Sequence, residues 1–244
     1  MTPNEEPPTR RIYEQGHAKN YDNFKKLRAI AIGMDAKFAP PDQLHQLPNL
    51  AKVEQDAGAA LENVNAMRPP NELAIDAQQA AFKPIRKLAP KLIQVAGIYG
   101  ASEAQQADMR TTANRIVGIR AGSKSEAPDA SHSASHTGYA NQLNDFDLFV
   151  KQYEATNITP SETEYLPETL RAKHADMNAA RQAAIDTAIP LRQARDTRDE
   201  IFYAEKTGLV DIANAVKNYI RVIIGKDSPE YAQIKNLKFT KINK

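Results

Sequence analysis

The feature that most constrains this fold is a similarity between the two halves of the chain. At a shift of 119 residues, an early amphipathic stretch falls on a later one, and both space their apolar residues as one face of a helix does. The matched pairs are Phe24 with Leu143, Leu27 with Phe146, Ile30 with Phe149, Ala31 with Val150 and Met34 with Tyr153. We interpret the similarity as an internal duplication, which constrains the overall fold more strongly than any local sequence pattern.

The later part of each half matches at a shift of 120 residues and then of 125. At the last shift Gly100 meets Gly225, and either glycine can end a helix in the left-handed conformation. Each glycine is followed by a capping-box pattern, Ser102 with Gln105 and Asp227 with Glu230. A helix end followed by a helix start, at matching places, supports the duplication.

Helical spacing and abundant alanine dominate the chain, whereas alternating strand patterns are nearly absent. We therefore predict a mainly α fold, a bundle of long antiparallel helices with two halves in a pseudo-twofold relation. The predicted organisation is a flexible N-terminal arm at 1–19, a helical repeat at 20–118, a Gly/Ser/His linker at 119–138 and a second repeat at 139–244. Pro69-Pro70 is expected to break one helix and Pro190 to bend another.

The composition excludes several classes of function. Lys and Arg total 32 against 30 Asp and Glu, and the signs are interspersed, so nucleic acid is not an expected partner. The absence of cysteine excludes disulfides, thiolate chemistry and cysteine-ligated metals. The N-terminal sequence lacks the apolar core of a secretory signal and no apolar stretch is long enough for a membrane span, so we expect a cytoplasmic protein.

No motif points to catalysis or to a cofactor. His132 and His136 have the spacing of two metal ligands on one helix face, but their surroundings have no helical pattern and are better explained as solvated linker. The isolated histidines His17, His45 and His174 are predicted to lie at the surface. No phosphate-binding glycine loop and no nucleophile elbow is present. We therefore predict no catalytic residue, no metal site and no cofactor; an enzyme of unrecognised type, with polar groups converging from different helices, stays open as a third alternative.

The densest charged cluster lies at residues 192–200, where i, i+4 pairs of Arg and Asp favour a solvated helix face or a contact between copies. Guanidinium groups also grip phosphate and carboxylate. The candidate contacts for a small anionic ligand are Arg192, Arg195, Arg198 and Lys217. The alternating residues 235–241 could form a short strand that docks on its own domain or on a partner's sheet edge.

The last third of the chain resembles a family of all-helical proteins from Bacteroidetes-like bacterial genomes to which no activity is assigned. The motifs that carry the resemblance run from Ala194 to Asp199, from Thr207 to Ala213, from Val216 to Ile220, and through Gly225, Ser228 to Tyr231 and Leu237 to Lys241. The resemblance implies a helical fold and a bacterial source, and it carries over no site residue. Our leading hypothesis is a non-enzymatic structural or protein-interaction module that binds a protein partner or self-associates. The alternative is an anion-binding bundle that uses the arginine face.

Overall fold

The computed structural model describes residues 9–119 and 138–241, with side chains from residue 16 onward. Within these ranges the fold is mainly α and contains no β-strand. The α-helices are α1 (Thr9–Gly33), α2 (Leu47–Phe82), α3 (Ile85–Ile98), α4 (Glu103–Val117), α5 (Tyr139–Glu154), α6 (Pro167–Tyr203), α7 (Leu209–Tyr219) and α8 (Pro229–Ile234). A π-helical turn at Ile220–Ile224 continues α7. The predicted mainly α class is confirmed.

The chain divides into two compact units, each with its own apolar core. Unit 1 comprises Met1–Pro69 and Ile189–Lys244, and unit 2 comprises Pro70–Ala188. In unit 1, the buried face of α1 packs with the end of α6, with α7 and with α8. In unit 2, α3, α4 and α5 surround buried residues that include Leu92, Met109 and Phe146. Each unit thus buries the apolar stripes that its helical periodicity predicts.

The two units do not coincide with the predicted repeats. Unit 1 takes its N-terminal residues from the first repeat, 20–118, and its C-terminal residues from the second, 139–244. The long helices α2 and α6 each begin in one unit and end in the other. Most of the predicted linker at 119–138, with His132 and His136, lies outside the described residues.

The proline pair in the first half does not break its helix. The sequence predicted a helix break at Pro69-Pro70, but α2 continues through both prolines to Phe82. Each proline removes one backbone hydrogen bond and crowds the preceding turn. Buried residues before the pair, such as Leu50 and Val64, and after it, such as Phe82, give each part of α2 packing that offsets this local cost. The boundary between the units nevertheless falls here and one residue before Pro190.

The predicted flexible arm at 1–19 needs correction for its second part, because residues 9–19 belong to α1. The polar composition of this stretch concealed a buried stripe. His17 and Asn20 are buried one turn apart and lead into Phe24. His17 is only 3% exposed, so its predicted surface position was also wrong.

The helix ends confirm the predicted cap of α4 and correct the predicted cap of α8. Gly100 has φ of +96°, and the Ala101 N–H donates to the Ala96 carbonyl at 2.8 Å, which closes α3 with a Schellman motif. Ser102 then caps α4 in the predicted box with Gln105. At the matching place in the second half the cap is Ser228, not Asp227. A serine before a proline is the better start, because Pro229 at the first helical position has no N–H to satisfy.

Candidate functional site

The C-terminal segment, residues 235–241, is held on unit 1 by side chains of α1 and α7. Asn20 makes two hydrogen bonds with Thr240, donating from Nδ2 to its carbonyl at 2.9 Å and accepting from its N–H at 3.2 Å. Asn23 Nδ2 donates to the Lys238 carbonyl at 2.9 Å. The segment has no strand geometry within the described residues, yet it docks on its own unit, as one of the two predicted alternatives required.

Lys217, one of the four predicted ligand contacts, belongs to this docking. Its ammonium group donates to the carbonyls of Lys235 and Leu237. Burial lowers the pKa of Lys217, because the charged form loses solvation. The side chain therefore already has acceptors within the protein and serves to hold the C-terminal segment.

Arg198 is also committed to partners inside unit 1. It is buried, and its Nε and Nη2 atoms donate to Asp199 Oδ1 at 3.0 and 2.7 Å. His17 Nε2 lies 3.1 Å from the same oxygen. A guanidinium and an imidazole thus meet one carboxylate, and this pairing allows the arginine to be buried.

Aromatic rings enclose the buried histidine. The His17 ring lies 5.4 Å from the ring centroids of both Phe202 and Tyr203. Burial raises the pKa of Tyr203 to about 12, because the ionised form would lose its solvation. His17, Arg198 and Asp199 thus form a small, largely buried polar cluster that links α1 to α6.

The two remaining predicted contacts lie on α6 and differ in exposure. Arg192 is 86% exposed at its side chain and lies 3.9 Å from Asp196, which is the expected i, i+4 pair. Arg195 is half-buried. The predicted set Arg192, Arg195, Arg198 and Lys217 is therefore divided between an exposed helix face, a buried ion pair and the docked C-terminal segment.

Unit 2 contains a charged network that joins α5 and α6. Arg171 donates from Nε to Glu154 at 2.7 Å and from Nη1 to Asp147 at 2.8 Å. The hydrogen bond from Lys151, with help from Arg171, lowers the pKa of Asp147, and the hydrogen bond from Arg171 lowers that of Glu154. Both carboxylates are therefore held in their charged form.

A cavity of about 290 Å³ opens in unit 2 beside the turn between α2 and α3. Its inner wall is formed by the buried side chains of Phe82 and Gln142, and the Phe82 and Tyr139 rings meet edge to face at 4.9 Å. The lining residues are Gln79, Phe82, Lys83, Arg86, Tyr139 and Gln142. The cavity therefore combines an aromatic corner with amide groups and two cations.

The electrostatics of this cavity are one-sided. Lys83 and Arg86 are exposed, and neither has an ion-pair partner in the described part of the chain. Among the described residues that line the cavity, none is acidic. Helix α3 begins at Ile85, and its N-terminus, which is the positive end of the helix dipole, lies beside the two cations. This N-terminus has no side-chain cap. Sequence reasoning missed this site, since its members come from distant segments and share no motif.

Within the described residues, no group of three or more His, Asp or Glu side chains is arranged to hold a metal ion. None of the helices in the described ranges is long and apolar enough to cross a membrane. Comparison with known proteins finds no matching family model, no matching curated protein and no matching solved structure. The assignment of function therefore depends on the geometry of the chain itself.

Proposed function

We propose that this chain is a non-enzymatic helical module that binds another protein or a second copy of itself. The observation that carries the proposal is the apolar side chains left exposed at two helix ends. Ile98 at the end of α3 is 81% exposed, and Ile223 in the turn that continues α7 is 63% exposed. Isolated exposed apolar residues are common, but these two stand at matching positions.

An internal duplication, which we propose on the sequence similarity, makes Ile98 and Ile223 equivalent. The shift of 125 residues that pairs Gly100 with Gly225 also pairs these isoleucines. Both lie just before a glycine of positive φ, and both helix ends are followed by a serine-capped helix. The same apolar residue is thus exposed twice at the same place in two related segments, which supports a shared use in binding.

Burying one isoleucine side chain contributes about 1.5–3 kcal/mol, and the exposed neighbours Tyr99 and Val222 enlarge each apolar surface. Binding of a partner that covers either helix end is therefore stabilised by this free energy of burial. The anion-binding alternative has weaker support, because two of its four candidate contacts, Arg198 and Lys217, are engaged within unit 1.

The test compares the full chain with the double variant Ile98→Asp/Ile223→Asp. We expect sedimentation velocity at increasing concentration, together with affinity capture from the source organism, to detect self-association or a bound protein. The double variant should weaken that association at least about tenfold, because two apolar contacts are replaced by charges that must be desolvated. Gln55→Asp/Asn218→Asp, which introduces the same two charges at exposed positions of α2 and α7, is the matched control.

Two results contradict the proposal. One is a chain that stays monomeric at every concentration and captures no protein. The other is an association that the double variant leaves as tight as in the wild type.

A further inference from the structure

The cavity of unit 2 has the chemistry of a binding site for a small organic anion. Lys83 and Arg86 lie on its rim, exposed and without an ion-pair partner in the described part of the chain. An arginine can grip a phosphate or a carboxylate with two parallel hydrogen bonds, and a lysine adds a point charge. The uncapped start of α3 beside them favours negative charge further.

The remaining wall accommodates a ring. Phe82 and Tyr139 meet edge to face, so a planar group entering the cavity can pack on an aromatic surface. Gln79 adds an amide that can donate or accept a hydrogen bond at the rim. The cavity volume of about 290 Å³ lies at the small end of ligand pockets, roughly 300–1,000 Å³, and matches a molecule with a single ring.

The positions of unit 1 that correspond to the cavity-lining residues carry other side chains. By the shifts of 119 and 120 residues, Tyr139 and Gln142 correspond to Asn20 and Asn23, and Lys83 corresponds to Tyr203. In unit 1 these asparagines bind the C-terminal segment, and the tyrosine packs against the His17 ring. The corresponding residues of unit 1 are thus engaged in contacts with the C-terminal segment and with the His17 ring.

We propose that the unit 2 cavity binds a small anion in which a phosphate or carboxylate is attached to one aromatic ring. Arg86 and Lys83 bind the anionic group, and the Phe82–Tyr139 corner contacts the ring. This inference goes beyond the protein-interaction role and does not depend on it, because the residues involved are separate from Ile98 and Ile223.

The experiment titrates the full chain with phenyl phosphate, benzoate and inorganic phosphate by calorimetry, with ligand-observed NMR as a second readout. We expect saturable binding of phenyl phosphate or benzoate, and comparing these two arms distinguishes phosphate from carboxylate recognition. Inorganic phosphate should bind at least about tenfold more weakly, since it makes no ring contact. Because the cations are exposed, affinity should fall as salt is added.

Variants then locate the site. Lys83→Gln/Arg86→Gln should lower the affinity at least about tenfold, because charge-assisted hydrogen bonds are lost at an exposed position that does not support folding. Lys87→Gln, an exposed lysine of α3 outside the cavity lining, should leave binding unchanged. Three results overturn the proposal: no saturation by either ring-bearing anion, equal affinity in the double glutamine variant, or inorganic phosphate binding as tightly as phenyl phosphate.

Discussion

Replacing Asn20 with alanine should release the end of the C-terminal segment while leaving the fold of unit 1 intact. Asn20 is buried on α1 and forms both a donated and an accepted hydrogen bond with the Thr240 backbone. No other residue of the described chain forms a hydrogen bond with those two backbone atoms. The substitution therefore separates the docking of this segment from the packing of the core.

The expected magnitude follows from the two bonds and from the exposure of Thr240. A neutral hydrogen bond contributes about 0.5–1.5 kcal/mol net. Thr240 is exposed, so its N–H and carbonyl regain water when Asn20 is removed, and the loss lies at the lower end of the range. We expect about 1–2 kcal/mol, which is a five- to thirtyfold increase in local opening.

Amide hydrogen exchange is the suitable assay because it measures opening residue by residue. The Thr240 amide should exchange faster in Asn20→Ala by that factor, and Asn23→Ala should have a smaller effect, since it removes one bond from Lys238. Asn218→Ala, at an exposed position of α7, is the matched control. Unchanged exchange of Thr240 in Asn20→Ala would refute the reasoning.

Two further predictions concern stability. Folding lowers the pKa values of Asp147 and Glu154, so these carboxylates stabilise the folded state at a pH above their ordinary pKa values, and this stabilisation is lost as the pH falls through the lowered pKa values. Arg171→Met should therefore lower the free energy of unfolding by up to about 1 kcal/mol at neutral pH and by less in acid. Urea unfolding at the two pH values measures this difference, and an equal loss at both would contradict the prediction. Ser102→Ala should destabilise the start of α4 by about 0.5–2 kcal/mol, because the N–H of Gln105 loses its acceptor. Thermal unfolding measures this loss, Ser102→Asp should restore most of it, and an unchanged midpoint in Ser102→Ala would argue against the cap.

Local signals in the sequence predicted the helices well where one interaction decides the outcome. The cap at Ser102 and the helix end at Gly100 depend on neighbouring residues alone, and both are present as expected. The break at Pro69-Pro70 was not found, because packing along α2 outweighs the local cost of proline. Periodicity of apolar residues also missed the start of α1, where the buried face is made of polar side chains whose partners are far away in the sequence.

The candidate sites show the same limit. Sequence alone could list Arg198 and Lys217 as cations on helices, but it could not show that one faces a carboxylate and the other two carbonyls. Conversely, no sequence pattern singled out Lys83 and Arg86, which line one cavity with the distant residues Tyr139 and Gln142. Convergence from separate segments is a tertiary property that no local pattern encodes.

The crossing of α2 and α6 from one unit to the other has a consequence for synthesis of the chain. Unit 2 is a single uninterrupted stretch, Pro70–Ala188, whereas unit 1 combines the two segments that flank it, Met1–Pro69 and Ile189–Lys244. A ribosome therefore completes the residues of unit 2 before it synthesises α7 and α8, against which the apolar side of α1 packs. Before α7 and α8 are synthesised, this apolar side of α1 lacks the partners that bury it in the folded unit.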